Sequence, residues 1–416
     1  MIYRPENVLL LGAATYLLLY LLSPLEVLVP IELGSFAFIA LTSSALVVGS
    51  WSADRFRVGG RSRQISFSRL KRMESRLFWT TLVLGLTGHL LRLADRYVIR
   101  GVGSLTGVDA REVLISEGAN QLSLIGGILY PFGYLPIFVI LGARALPRTS
   151  WKVALAAIIF LIPALDALVL FSRSFLLVSF AMSYFGLSLT LFRGRALPRQ
   201  LVLPALLGAG TVVTISVLVF AWRLEQMSFD ILDSTFLSAY SHTVVPNATA
   251  DSVISSGSTL GGLTASLLPV AQYYVHGILE LQVLWSVSDT QAFSGGALLF
   301  APYLKALSIL GLASAPDLFD LFPREGVFTS FWGPLWVDFG WFSPIVMFLF
   351  GFMGRMTARA ARRQDLGAIP LYTYFCVILF FMPVVNFAIT AQGMYVITVF
   401  TVFWVMTRKA AYAVPL

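Results

Sequence analysis

Polar residues are unevenly placed along this 416-residue chain, and between their clusters lie ten apolar runs, at about 7–24, 33–51, 77–91, 122–143, 153–171, 175–192, 201–221, 333–354, 369–387 and 391–407. Each approaches the ~20 residues that carry a helix across the hydrocarbon of a bilayer, where backbone amides must be satisfied within their own segment. The pattern predicts an all-α, polytopic transmembrane helical bundle of ten spans, in one integral membrane domain covering residues 1–416. Two further apolar runs, 265–288 and 296–312, fall inside one long polar-punctuated stretch. The link between them, Ser288 to Gly295, has no Lys or Arg, so re-entrant or interfacial helices are expected there. A crossing hairpin would raise the count to twelve and leave the sidedness of every other span unchanged. The run at 7–24 lacks a small-residue cleavage site and is expected to remain as the first helix.

The polar clusters fix an orientation. Residues 52–77 hold eight Lys/Arg, 144–152 three, 193–199 three and 355–363 four, and Arg4, Arg408 and Lys409 bring the total to 21 of 29. These segments follow alternate spans, so the positive-inside rule places them, and both termini, in the cytoplasm. Composition agrees: at 57% hydrophobic and 12% charged, the chain has too few charges to cover a soluble surface. The net charge of +8 then reports topology rather than a nucleic-acid partner. Cys376 is the only cysteine, which excludes an intrachain disulfide.

Eight cations remain on the outer side, where orientation gives no reason for them: Arg92, Arg96, Arg100, Arg111, Arg173, Arg223, Lys305 and Arg324. Arg92 and Arg96, four apart, share a helix face and can present two charges to an anion, with Asp95 as a competing partner and snorkelling as the plainer reading. Arg173 sits in a Ser-Arg-Ser turn, two helical turns beyond Asp166, its candidate structural partner. Arg173, Arg223 and Arg324 occupy span ends or the end of the outer loop at similar expected depth, as convergent ligands for one anion would. The extracytoplasmic stretch 222–332 also holds His242 and His276, acids from Glu225 to Glu325, and a Ser/Gly run at 255–266. Within it Gln272, Tyr273, His276 and Glu280 fall on one helix face, either as a structural His–Glu pair or as a carboxylate orienting an imidazole for proton transfer. Asp338 lies six residues beyond Trp332, about 9 Å along a helix axis, and an intramembrane carboxylate is a functional candidate. No phosphate loop, GxGxxG, HExxH or CxxC occurs, and the three histidines have no metal-ligand spacing, so neither metal nor cofactor is expected.

Three blocks carry a resemblance: FSRSFLLVSF at 171–180, the Trp222-Arg223 ending of span seven, and FTSFWGPLWVDFGWFSP at 328–344. They resemble the oligosaccharide repeat-unit polymerase family, the Wzy-type O-antigen and exopolysaccharide polymerases of bacterial inner membranes. In the last block Thr329, Asp338, Phe339 and Gly340 fit the family's pattern, while Ser343 stands near where a Gly is common. The resemblance implies a fold similar to GT-C-like lipid-linked glycosyltransferases and a reaction on the outer face of the membrane. A glycan on undecaprenyl pyrophosphate is transferred by its reducing end to a second lipid-linked repeat unit, and undecaprenyl pyrophosphate leaves. The implied partners are these lipid-linked glycans and membrane lipid, with a chain-length regulator and a flippase in the same assembly, and no nucleic acid. On this reading Arg173, Arg223 and Arg324 meet the pyrophosphate. The base is sought among His276, His242, Glu280 and Asp338, with His276 on Glu280 the first choice and Tyr273, Arg92 and Arg96 as further candidates. Two alternatives share features. O-antigen ligases have the same plan and donor but use a lipid A core acceptor, and a lipid-linked oligosaccharide flippase would need charge along a path through both leaflets.

Overall fold

The computed structural model describes residues 4–56, 63–64, 66–105, 109–110, 113–114, 120–170, 172, 174–192, 199–226, 241–287, 293–312, 322, 324, 327–390, 393–408 and 412–413, without the side chains of 63–64, 104, 199–201, 220–221, 223–226 and 412–413. The apolar runs become helices: α1 (Pro5–Leu22), α2 (Leu33–Asp54), α3 (Phe67–Leu93, prolonged by a π-helical turn to Ile99), α4 (Gln121–Leu129) joined through a 3-10 turn to α5 (Leu135–Gly142), α6 (Ser150–Val169), α7 (Ser174–Phe192) and α8 (Arg199–Gln226). After α8 come α9 (Ala248–Ser255), α10 (Thr259–Ser286), α11 (Ala301–Ile309), α12 (Trp332–Phe339), α13 (Ser343–Arg362), α14 (Ala368–Phe381) and α15 (Gly393–Arg408). Side-chain oxygens start several of them: Asn120 accepts from Ser123 N, Asn247 from Ala250 N and Ser258 from Gly261 N, each satisfying an amide the first turn leaves open.

Eight stretches are long and apolar enough to cross a membrane, with α14 and α15 as shorter apolar helices, so the chain is an all-α, multi-pass membrane protein. The eight include α12 and α13 taken together, although Gly340, at φ +49°, breaks the helix between them. The 28-residue α10 is not among them. α11 has nine residues, a rise of only about 14 Å, which is too short for the second leg of a crossing hairpin. Beyond a two-residue pairing of 63–64 with 412–413, the only sheet among the described residues is an antiparallel pair. In it β1 (Leu25–Val27) lies against β2 (Val244–Pro246), with Glu26 opposite Val245.

Without water between apolar helices, close backbone contact and a few hydrogen bonds hold them together. α2 and α13 approach most closely, through glycines. A Cβ on Gly49 would lie 2.0 Å from the Phe348 carbonyl oxygen, and one on Gly351 2.0 Å from that of Leu46. At one end of this pair Arg355 grips Asp54 with two bonds, of 2.8 and 2.9 Å, and Arg359 donates to the carbonyls of Ala53 and Phe56. Buried Glu74 there accepts the backbone amides of Arg144, Ala145 and Leu146, and Gln364 reaches Leu189. The basic segments thus meet at a single end of the bundle. The other end gathers β1 and β2, the Ser35–Gln282 bond, and the Arg96–Asp166 pair.

The centre of the bundle is α14, almost every residue of which is buried. Its 14 residues rise about 21 Å, short of the hydrocarbon thickness, and the apolar run expected to continue to 387 leaves the helix at Phe381. Residues 382–388 continue as buried non-helical chain, bridged from Val385 to Ser330, with Phe331 N donating to Met382 O at 2.9 Å. Irregular backbone at such depth persists where protein supplies its hydrogen bonds. Here the 329–331 segment supplies them, with Ser330 in the left-handed region at φ +59°.

Candidate active site

α10 crosses over this irregular layer, its Gly277 against the carbonyl of Val384. The expected polar face is present and turned inward: Gln272, Tyr273, His276 and Glu280 are all buried. β2 lies across it. Gln272 Nε2 donates to Val244 O at 3.0 Å, and the β1–β2 register holds the residues just before the strand, His242 and Thr243, above Glu280.

Glu280, with 2% of its side chain exposed, is the focus. His242 Nε2 lies 2.9 Å from Oε1, Arg324 Nη1 lies 3.0 Å from the same oxygen, and the Thr243 hydroxyl donates to the carboxylate. Arg324 Nη1 also meets Nδ1 of His242. A guanidinium only donates, so Nδ1 accepts, and the ring proton of a neutral imidazole belongs on Nε2, facing the carboxylate. The cluster opens on one side, where His242 and Arg324 are 33% and 31% exposed. Burial pushes the Glu280 carboxyl up to about 7, opposed by Arg324 and the Thr243 hydroxyl.

The imidazole on Glu280 is therefore His242, not His276 as the helix spacing suggests. His276 turns back along α10, with Nδ1 3.1 Å from Gln272 O and its ring against Tyr273 and Phe328. Burial pushes it down to about 4, with bonds to backbone Gln272 and Tyr273 opposing and His242 and Arg324 adding to the fall, so it is a neutral packing residue at pH 7.

Asp338 is placed differently from expectation as well. Its carboxylate accepts Leu298 N at 2.9 Å, Leu299 N at 2.8 Å and the Ser294 hydroxyl, and so fastens the 294–300 turn that leads into α11. Two backbone amides and a hydroxyl account for the charge without chemistry. Arg92 and Arg96 do not jointly present a free face. The Arg92 guanidinium is buried over the Tyr130 ring, 4.5 Å from its centroid, with Phe175 at 5.8 Å. Arg96 pairs with Asp166, the acid expected to serve Arg173, and Asp95 pairs with Arg100 and Asn120. Arg173 lies outside the described residues, as does the Arg223 side chain near the end of α8, so of the three expected anion ligands Arg324 alone can be placed.

Sequence reasoning missed Thr243 and the His242 pairing. The β-branched run Thr243-Val244-Val245 before Pro246 was the available signal, since it marks a short edge strand. Among the described residues no three His, Cys, Asp or Glu side chains come together as a metal site. Comparison of the chain with family models, with curated proteins and with solved structures finds no match.

Proposed function

We propose that this protein polymerises undecaprenyl-pyrophosphate-linked oligosaccharide repeat units into surface polysaccharide, O-antigen or exopolysaccharide, on the outer face of the bacterial inner membrane, as a glycosyltransferase of the GT-C-like kind. The observation that carries the reading is the His242–Glu280–Arg324 cluster at the end of the bundle opposite the basic segments. With that basic end and both termini in the cytoplasm, the cluster faces outward.

The three side chains match the three needs of the transfer. An acceptor hydroxyl requires a base within hydrogen-bond reach, and His242, partly exposed and backed by Glu280, is that base. The imidazolium formed on proton uptake rests on the carboxylate. A pyrophosphate leaving group requires fixed positive charge where its negative charge develops, and Arg324 supplies it, joined by Arg173 and Arg223. Asp338 and His276 have structural work in this scheme.

An O-antigen ligase is the second reading, and a base on the outer loop favours it too, because His242 stands just before β2 rather than on a span. Deleting the gene and resolving the surface polysaccharide on a gel separates the two. A single repeat on the lipid A core means polymerase, and absence of any polymer on lipid A means ligase. Purified protein that fails to extend lipid-linked repeat units would refute the polymerase reading directly.

A further inference from the structure

Arg324 holds two positions in this chemistry. It is the anion ligand, yet its Nη1 is engaged by Glu280 Oε1 at 3.0 Å and by Nδ1 of His242. Nε2 of that ring faces Glu280 at 2.9 Å, so Nδ1 carries the lone pair a base would use. With Arg324 on that lone pair, the imidazole takes no proton. We infer that Arg324 masks His242 until a diphosphate oxygen replaces the imidazole at its guanidinium, so that binding the donor's anion and baring the base are a single event. The identity of the anion rests on the function proposed above; the masking rests on the contacts alone.

The exchange is favourable in kind, because a charged, bidentate oxygen acceptor binds a guanidinium more strongly than a neutral ring nitrogen does. Exposure fits it as well. The ring and the guanidinium are each about a third open, whereas the carboxylate beneath them is 2% exposed, so the masking arm can swing while the anchor stays. Once Arg324 has moved, Nδ1 takes the proton of the acceptor hydroxyl as that oxygen bonds to the anomeric carbon. The bond from the anomeric carbon to the diphosphate oxygen breaks, and its electron pair leaves with the diphosphate against Arg324. The imidazolium keeps its Nε2–H toward Glu280. Before donor binding no base is bare to activate water, which protects the lipid-linked glycan from idle hydrolysis.

Carbethoxylation of histidine by diethyl pyrocarbonate, located by mass spectrometry on the full chain in lipid nanodiscs, reads the masking without turnover. The chain has three histidines, and His89 and His276 are 3% and 0% exposed, which leaves His242 as the reactive one. The wild type should modify slowly, become severalfold faster when inorganic pyrophosphate is added, and be matched in the fast state, with or without pyrophosphate, by Arg324→Gln. A wild-type rate that pyrophosphate leaves unchanged or lowers overturns the inference, as does an Arg324→Gln protein as slow as wild type. If that variant does not fold, the wild-type comparison decides alone. Pyrophosphate-dependent reactivity in a protein that makes no polymer refutes the polymerase reading and keeps the masking; an active polymerase with pyrophosphate-independent reactivity does the reverse.

Discussion

Replacing Glu280 by Gln keeps the shape of the side chain and one acceptor oxygen but removes the charge on which His242 and Arg324 converge. Burial raises this carboxyl from the ordinary 4.5 to about 7, which corresponds to on the order of 3 kcal/mol favouring its neutral form in the folded protein. Between those two values the folded chain binds more protons than the unfolded one. The carboxyl's contribution to stability therefore falls as pH rises through that window and stays lower above it, against an opposite rise between about 4 and 6.5 from His276. Turnover should slope the other way, because the imidazolium formed on His242 needs an ionised Glu280, so the rate climbs through about pH 7. In Glu280→Gln the carboxyl's part of both slopes should vanish, leaving in the melting profile the rise toward pH 6.5 that His276, pushed down to about 4, contributes. Loss of an orienting carboxylate from an imidazole costs as much as on the order of 10⁴ in a serine protease. That figure is itself for replacement of the carboxylate by its amide, so the loss here should be roughly a thousand- to ten-thousandfold. The assay is extension of purified lipid-linked repeat units at several pH values on both sides of neutrality, with melting followed in parallel. A Gln variant of wild-type rate would refute the assignment.

Two further outcomes follow from geometry already described, and a third from the proposed chemistry. Asp338→Asn offers one acceptor oxygen to donors that now share two, so it should cost about 2–4 kcal/mol and speed amide exchange at Leu298 and Leu299; unchanged exchange with lost turnover would return Asp338 to the chemistry. Gly351→Ala places a Cβ about 2 Å from the Leu46 carbonyl, so α2 and α13 must separate at a cost of about 1–3 kcal/mol, visible as a lower melting temperature. Arg→Lys at Arg173, Arg223 and Arg324 should leave insertion and expression intact while polymer synthesis falls roughly a hundred- to a thousandfold; free tolerance of lysine at all three would make them interfacial anchors.

Hydropathy located most of the long apolar helices because an apolar run of such length has few other choices. It failed at 369–387, where Val384 and Val385 are as apolar as α14 but lie in buried irregular chain whose hydrogen-bond partner, the 329–331 segment, is some fifty residues away. A period of three and four found the face that carries Glu280, since that relation is local. It could not find His242, 38 residues upstream, whose position depends on β2 pairing with a strand near the N-terminus. Asp338 misled for a related reason. Its partners include the backbone amides of Leu298 and Leu299, and an amide leaves no mark in a sequence. Arg96 and Asp166 are separated by 70 positions, so the competing, nearer assignments to Asp95 and Arg173 looked equally good.

The pairing of β1 with β2 also sets a schedule for biogenesis. Val27 leaves the ribosome 217 residues ahead of Val244, its partner in the register, an interval of roughly 10–45 s at ordinary translation speeds. During that time the first helical hairpin must rest in the bilayer with β1 unpaired, while α13 and α14, against which α2 and α1 pack, are made later still. Every nascent or truncated chain short of α10 therefore lacks Glu280 and the platform beneath it, so a ribosome stalled before that point releases a chain in which His242 has no carboxylate to meet.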